Sequence, residues 1–184
     1  MRVIGIDPGS IATGFGVLDG DAKAPAYVTS GVLRAKAAQP LAARLYRIFV
    51  GLRELLARYK PQAMSLEQSY VAANVQTALR LGQARAAALL AAAEAGIALF
   101  EYPPSRVKLA VAGDGAADKG AVQAMVRRAL KLDAAVKLNA DAADALALAL
   151  CHFCFARMPF HDGSRRPATR GRKSSKKSST AGGS

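Results

Sequence analysis

Two short apolar segments that each end in an acidic residue constrain the fold of this chain more than any other feature. Residues 2–7 run Arg-Val-Ile-Gly-Ile-Asp and stop at Pro8-Gly9, and residues 62–67 run Gln-Ala-Met-Ser-Leu-Glu. Proline disfavours helix for the residue before it and glycine permits a tight turn, so the first segment is predicted to be a strand that ends at Asp7. Between the two segments, apolar residues recur every three or four positions over residues 41–59, which predicts an amphipathic helix. A strand, a helix and a second strand in this order predict a crossover connection between parallel strands.

The other segments extend this pattern to a whole domain. Residues 13–18 and 27–33 are typical of two further strands of an antiparallel meander. A helix over about 75–95, a strand over 97–102 and further helical segments up to about residue 157 follow. We therefore predict an α/β domain with a mixed five-stranded sheet and helices on both faces.

The chain carries a strong positive charge. Its 26 Lys and Arg residues against 13 acids give a formal net charge of +13, and the charge stays positive when the basic C-terminal segment is set aside. This favours a polyanionic partner, either nucleic acid or an anionic membrane surface. Residues 162–184 alternate Ser, Gly, Arg and Lys without periodicity, so we predict one folded domain over 1–161 and a disordered basic tail over 162–184.

The sequence predicts no membrane segment. No stretch approaches the roughly 18 uninterrupted apolar residues of a membrane span. The charged residues near the N-terminus lie where a signal peptide would need apolar ones. We expect a cytoplasmic protein.

Four acidic residues lie at the ends of predicted elements. Asp7 and Glu67 end strands that the crossover makes parallel, so their side chains are expected at the same edge of the sheet. Asp141 and Asp144 are three residues apart at the start of a predicted helix and share one helix face. In an alternative interpretation, Asp141 is a helix N-cap, Asp144 interacts with the helix dipole, and Glu67 is a solvated charge.

Carboxylates this close to one another repel, and cations between them would remove the need to take up protons. Oxygen ligands suit Mg²⁺ or Mn²⁺, and two such ions about 3.5–4 Å apart bind both the attacking water and the leaving oxygen of a phosphodiester. The arrangement therefore predicts a metal-dependent site for phosphate chemistry.

Glycines and lysines near these acids offer further candidates. Gly9, Gly14 and Gly16 would let a phosphate backbone approach closely, or they are plain turn and strand glycines. Lys108 and Lys119 are candidate phosphate contacts, although a solvated lysine is the commoner case.

The order and spacing of several motifs resemble those of the RuvC family of Holliday-junction resolvases over about residues 1–157. The motifs are Gly5-Ile-Asp-Pro-Gly-Ser10 with Thr13-Gly14, then Glu67-Gln68, Leu81-Gly-Gln-Ala-Arg85 and Asp141-Ala-Ala-Asp-Ala-Leu146. The resemblance implies a ribonuclease H-like fold, a homodimer and a partnership with the RuvA–RuvB branch-migration complex. It also implies Mg²⁺-dependent symmetric nicking of four-way DNA junctions in recombination and repair, with Mn²⁺ as a substitute ion.

The resemblance also assigns roles to individual residues of this chain. Four residues match the catalytic, metal-binding acids of the family: Asp7, Glu67, Asp141 and Asp144. Tyr70 falls where the family tends to carry an aromatic residue near the junction centre. Lys108 and Lys119 fall on basic residues implicated in DNA binding or catalysis.

Other interpretations remain open at this level. A module that binds structured nucleic acid without cutting it would use the acids as caps, and metal-dependent nicking separates it from a nuclease. An actin-like or sugar-kinase phosphotransferase would need two such domains and usually a longer chain. The alanine-rich helix over 75–95 is either the dimer interface, because its small side chains allow close approach, or a helix buried within its own monomer.

Overall fold

The computed structural model of the chain describes residues 1–68 and 75–155. The elements, in chain order, are β1 (Val3–Asp7), β2 (Ala12–Gly20), β3 (Pro25–Arg34), α1 (Leu41–Tyr59), β4 (Ala63–Glu67), α2 (Val75–Ala95), β5 (Ala98–Tyr102), α3 (Pro104–Ala112), α4 (Lys119–Ala129) and α5 (Ala140–Phe155). Within this part of the chain, no helix combines the length and the apolarity that crossing a bilayer requires. The predicted tail lies outside the described residues.

The five strands form one mixed sheet in the order β3-β2-β1-β4-β5. β1 pairs antiparallel with β2, and β2 pairs antiparallel with β3, which confirms the predicted meander. β1 pairs parallel with β4, and β4 pairs parallel with β5, which confirms the predicted crossover through α1.

Alternation along the strands sends side chains to two cores on opposite faces of the sheet. Ile4 and Ile6 of β1 pack with residues of α1 and α2, whereas Val3 packs with residues of α3, α4 and α5. A strand buried on both faces has this continuous apolar character because successive side chains point to opposite sides. The predicted α/β architecture with helices on both faces is confirmed.

Some element boundaries differ from the predicted ones. The hairpin of β2 and β3 pairs all the way from Ala12 with Arg34 to Gly20 with Pro25, so both strands are longer than their apolar runs indicate. Backbone pairing in a hairpin continues into polar residues as long as the turn keeps the strands in register. Helix α4 begins after its N-cap, Asp118, whose side chain accepts a hydrogen bond from the Ala121 amide. The helix ends at Ala129.

Helix α5 lies directly on glycines of β1 and β2. A Cβ atom on Gly5 would be 1.9 Å from the carbonyl oxygen of Ala145, and one on Gly14 would be 2.0 Å from that of Asp141. Gly16, which pairs with Gly5, is covered by Leu146. Gly14 and Gly16 therefore allow the close approach of α5, and the expectation that they admit a phosphate backbone is wrong.

Candidate active site

Asp7 and Glu67 extend from the same edge and the same face of the sheet. They are the last residues of β1 and β4, which run parallel with Ile6 opposite Leu66. Counting back in steps of two from each acid leads to residues that face α5, namely Gly5 and Ser65. The predicted meeting of these two strand ends follows from the crossover and the alternation together.

Asp141 and Asp144 reach this edge from the first turns of α5. The helix is capped by Asn139, whose Oδ1 accepts a hydrogen bond from the Ala142 amide at 3.0 Å. The alternative in which Asp141 is the N-cap is therefore wrong. The Cβ atom and carbonyl of Asp141 lie over Gly14, which pairs across the sheet with Asp7.

A small cleft of about 100 Å³ opens at this edge. Its polar wall contains three of the predicted acids, Asp7, Glu67 and Asp144, together with Lys108 and Lys119. Apolar side chains of α3, α4 and α5 form the rest of the lining. The structure thus brings five of the seven predicted site residues into one cleft, and places Asp141 close enough to influence the charge of Asp7.

The acids destabilise one another's charged forms. Burial, and then the neighbouring carboxylates of Asp144, Glu67 and Asp141, raise the pKa of Asp7 to about 7. Burial, followed by the charge of Asp144, also raises the pKa of Glu67. Without a cation, the cluster holds a proton on Asp7 at a pH where an ordinary aspartate is ionised.

The two lysines offset part of this negative charge. Lys119 lowers the pKa of both Asp7 and Glu67, against the larger effects that raise them, and Lys108 does the same for Glu67. The Lys119 Nζ atom is 3.5 Å from Asp144 Oδ2, and its side chain is 81% exposed. A long, exposed ion pair of this kind contributes little to stability and leaves the ammonium group free to turn toward an anion.

The donor set suits a hard divalent cation. Carboxylate oxygens are the ligands that Mg²⁺ and Mn²⁺ prefer. Burial and the neighbouring carboxylates raise the pKa of Asp7, and a bound cation would favour the ionised form instead. Among residues 1–68 and 75–155, however, no three acidic, histidine or cysteine side chains already converge as a set of metal ligands. The site matches such an ion in donor chemistry and charge, and its side chains would have to turn toward the ion.

Three contacts around the site were not predicted from the sequence. Ser65 donates a buried hydrogen bond of 2.8 Å from Oγ to the carbonyl of Leu148 and so ties β4 to α5. Asn139 caps α5, and Arg85 of α2 donates from Nη1 to the carbonyl of Glu67 at 2.7 Å. A serine within an apolar strand and an asparagine just before an acidic helix start were visible signals. No sequence signal indicates that Arg85 bonds to Glu67, because the two residues lie on different elements.

Tyr70, the remaining predicted site residue, lies outside the described residues.

The comparison with protein families decides the assignment. The family model described as crossover junction endodeoxyribonuclease RuvC matches residues 3–152. The chain belongs to the RuvC family. Its activity class is that of a Holliday-junction resolvase, a crossover junction endodeoxyribonuclease of DNA recombination and repair.

Two relatives from the RuvC family are similar in sequence to this chain over most of their length. The chain is 52% identical over 151 residues to the crossover junction endodeoxyribonuclease RuvC of Halorhodospira halophila, covering 82% of this chain and 89% of the relative. It is 49% identical over 150 residues to that of Pseudomonas aeruginosa strain LESB58, covering 82% and 84%.

Solved structures show the same fold. The T. thermophilus RuvC in complex with Holliday junction substrate has a TM-score of 0.80 and 38% identity, with 86% of this chain and 96% of that chain covered. The yeast mitochondrial Holliday junction resolvase is 13% identical with a TM-score of 0.59, covers 81% of this chain and 76% of that chain, and supports the fold alone. The predicted ribonuclease H-like fold is confirmed.

Proposed function

We propose that this RuvC-family chain cuts four-way DNA junctions by metal-dependent hydrolysis of phosphodiester bonds at the cleft between β1, β4 and α5. The catalytic and metal-binding residues are Asp7, Glu67, Asp141 and Asp144. The observation that carries the proposal is that Asp7, Glu67 and Asp144 line one cleft at the ends of two parallel strands, with Asp141 close enough to help raise the pKa of Asp7. The complex of the T. thermophilus relative with a Holliday junction supports the choice of substrate.

Mg²⁺, with Mn²⁺ as a substitute, is the proposed cofactor, with two ions for each active site. Such ions supply stabilisation of the charge that develops on the phosphoryl oxygens and lower the pKa of water. The four carboxylates would hold them. Asp7 and Glu67 are fixed by the rigid ends of neighbouring strands, and the two aspartates of α5 are fixed by a helix seated on glycines. Ligands on such elements keep their geometry better than ligands on loops.

The lysines have a different proposed role. Lys108 and Lys119 line the cleft opposite the strand ends, and their ammonium groups would contact the phosphate on either side of the scissile bond. We assign Tyr70 to stacking on a base near the crossover, because an aromatic ring offers a sequence-tolerant face. Residues 1–161 would form the nuclease domain, and the basic tail over 162–184 would add affinity for phosphate without reading bases.

A second copy of this chain is the proposed partner, because a four-way junction offers equivalent strands to a two-fold symmetric enzyme. The outer sides of α1 and α2 carry an apolar groove that contains Leu45, Tyr46, Phe49 and Leu90. Tyr46 is 68% exposed and Leu90 62% exposed in the single chain. We further propose, from the family resemblance, that the dimer works with the RuvA–RuvB complex in the cytoplasm.

A synthetic four-way junction tests the activity directly. We expect paired nicks in Mg²⁺ on a denaturing gel, none in EDTA, and a loss of several orders of magnitude in rate for Asp7→Asn. Junction affinity of this variant in EDTA should equal or exceed that of the parent, because carboxylates repel phosphate when no cation lies between them. Junction binding without nicking in either Mg²⁺ or Mn²⁺ would instead favour the non-cleaving binding module.

A further inference from the structure

We propose that Arg85 is a positioning residue for Glu67 and that Glu101 holds Arg85 in place. Arg85 Nη1 donates to the Glu67 carbonyl at 2.7 Å, and Nη2 pairs with the carboxylate of Glu101. The Arg85 side chain is only 16% exposed. The inference rests on the proposed role of Glu67 in the active site.

The contact reaches Glu67 from the side of the sheet opposite the cleft. Glu101 lies on β5 between Phe100 and Tyr102, which pack in the core beneath α5, so its own side chain points to the face that α1 and α2 cover. Arg85 comes from α2 on that same face. The carboxylate of Glu67 therefore faces the cleft while its backbone is held from behind.

The contact of Arg85 with the backbone carbonyl of Glu67 influences the direction of the Glu67 side chain. Glu67 is the last residue of β4, and the next amide, that of Gln68, donates to the Tyr102 carbonyl at 2.8 Å. With that amide and the Glu67 carbonyl both fixed, the last peptide of the strand cannot rotate. Its orientation sets the line of the Glu67 Cα–Cβ bond, so releasing the carbonyl would let the carboxylate move within the cleft.

Arginine is suited to this contact because its planar fork of donors can reach two acceptors at once. One acceptor here is a neutral carbonyl and the other a carboxylate, carried by adjacent strands. A lysine has a single compact ammonium group and would hold one acceptor well. A methionine would fill the apolar part of the space and hold neither.

The chain offers a matched control at the other end of the sheet. Arg2 donates from Nη1 to the Tyr59 carbonyl at 2.9 Å and pairs with Asp19 at 2.7 Å, so it bridges the same two kinds of acceptor. It precedes β1, whose opposite end carries Asp7. Replacing Arg2 removes a comparable bridge without touching the strand ends of the active site.

The experiment compares Arg85→Lys, Arg85→Met and Glu101→Gln with Arg2→Met and the parent. Misplacing a catalytic group by about 1 Å costs about 100-fold in rate. We therefore expect single-turnover nicking to fall about 100-fold in Arg85→Met and by an intermediate factor in Arg85→Lys and Glu101→Gln. Junction affinity in EDTA should stay at the parent value. Calorimetric titration with Mn²⁺ in the absence of DNA should show weaker binding in Arg85→Met than in Arg2→Met.

Urea denaturation separates positioning from general loss of stability. The inference would be overturned if the Arg85 and Glu101 variants had the same nicking rates and Mn²⁺ affinities as Arg2→Met. If Arg85→Met does not fold, Arg85→Lys and Glu101→Gln decide the question. A parent protein that fails to nick would contradict the proposed function, whereas Arg85 variants that nick like the parent while Asp7→Asn does not would contradict this inference alone.

Discussion

Asp7 combines partial burial with three acidic neighbours, and its pKa of about 7 has a consequence for stability. An aspartate in the unfolded chain has a pKa of about 3.9. Between these two values the folded protein holds a proton that the unfolded chain has released. The contribution of Asp7 to the free energy of unfolding therefore becomes less favourable as the pH rises through this window, and the loss is complete above about pH 7.

Replacing Asp7 with asparagine removes this cost. In EDTA we expect Asp7→Asn to be more stable than the parent at about pH 8, by at most about 4 kcal/mol, and by less at about pH 5. Urea denaturation at the two pH values measures the difference. An Asp7→Asn protein that is less stable than the parent at the higher pH would show that the carboxylate is not crowded by its neighbours.

Asp19 provides a control in which the pKa is shifted in the opposite direction, so that its effect on stability has the opposite pH dependence. Hydrogen bonding from Arg2 holds the pKa of this carboxyl below its usual range. Its stabilising effect is present above the pKa of the unfolded chain and is lost as the pH falls through the lower, folded value. Asp19→Asn should therefore destabilise the protein at neutral pH, and the difference from the parent should shrink in acid.

At the scale of elements, the position of α5 depends on the absence of side chains on β1 and β2. A Cβ atom on Gly5 would overlap the backbone of α5 at Ala145, which cannot turn away as a flexible side chain could. Because α5 carries Asp141 and Asp144, a shift of the helix moves two of the four acids. The packing of this helix and the geometry of the site are thus set by the same contact.

Gly5→Ala tests this coupling. Overpacking of this kind costs about 1–3 kcal/mol or more, so we expect a lower urea midpoint and slower nicking in the fraction that stays folded. Gly82→Ala in α2 is the control, since no atom of another element among residues 1–68 and 75–155 lies within 4 Å of its added Cβ. Alanine should stabilise the helix there by about 0.5–1 kcal/mol. Unchanged stability and rate in Gly5→Ala would show that α5 adjusts without cost.

The elements and the two strand-end acids could be predicted because they depend on local patterns. Periodicity, the Pro8-Gly9 turn and the crossover rule suffice to put Asp7 beside Glu67. Contacts between distant residues could not be predicted in this way. The buried His152 forms a hydrogen bond with Tyr102 across 50 positions, and no spacing within either segment indicates it.

Two contacts near the site could not be predicted for the same reason, because each joins residues on different elements. The bond from Arg85 to the Glu67 carbonyl joins residues 18 positions apart on different elements. The role of Gly14 depends on the path of α5, more than a hundred residues later in the chain. Sequence patterns select the residue types at such places, but the partner is fixed only when the sheet and its helices have packed.

At the scale of the whole molecule, an apolar groove between α1 and α2 is exposed in the single chain. Buried alanines of α2 face the core of the chain, whereas Leu79 and Leu90 on the same helix are each 62% exposed. In a two-fold symmetric dimer each contact occurs twice. Covering Leu90 would remove apolar surface from water in both copies.

Leu90→Glu should therefore separate the proposed dimer. Burying a leucine contributes about 1.5–3 kcal/mol, so two copies contribute about 3–6 kcal/mol, or about 10²–10⁴-fold in the dissociation constant. Sedimentation equilibrium should give a dimer for the parent and a monomer for the variant at the same concentration. Val28→Glu, on the edge strand β3 and 37% exposed, is the control and should remain dimeric.

We expect the monomer to lose paired nicking, because a single active site meets one strand at a time. A monomeric parent, or a dimeric Leu90→Glu, would remove this face from the proposed assembly.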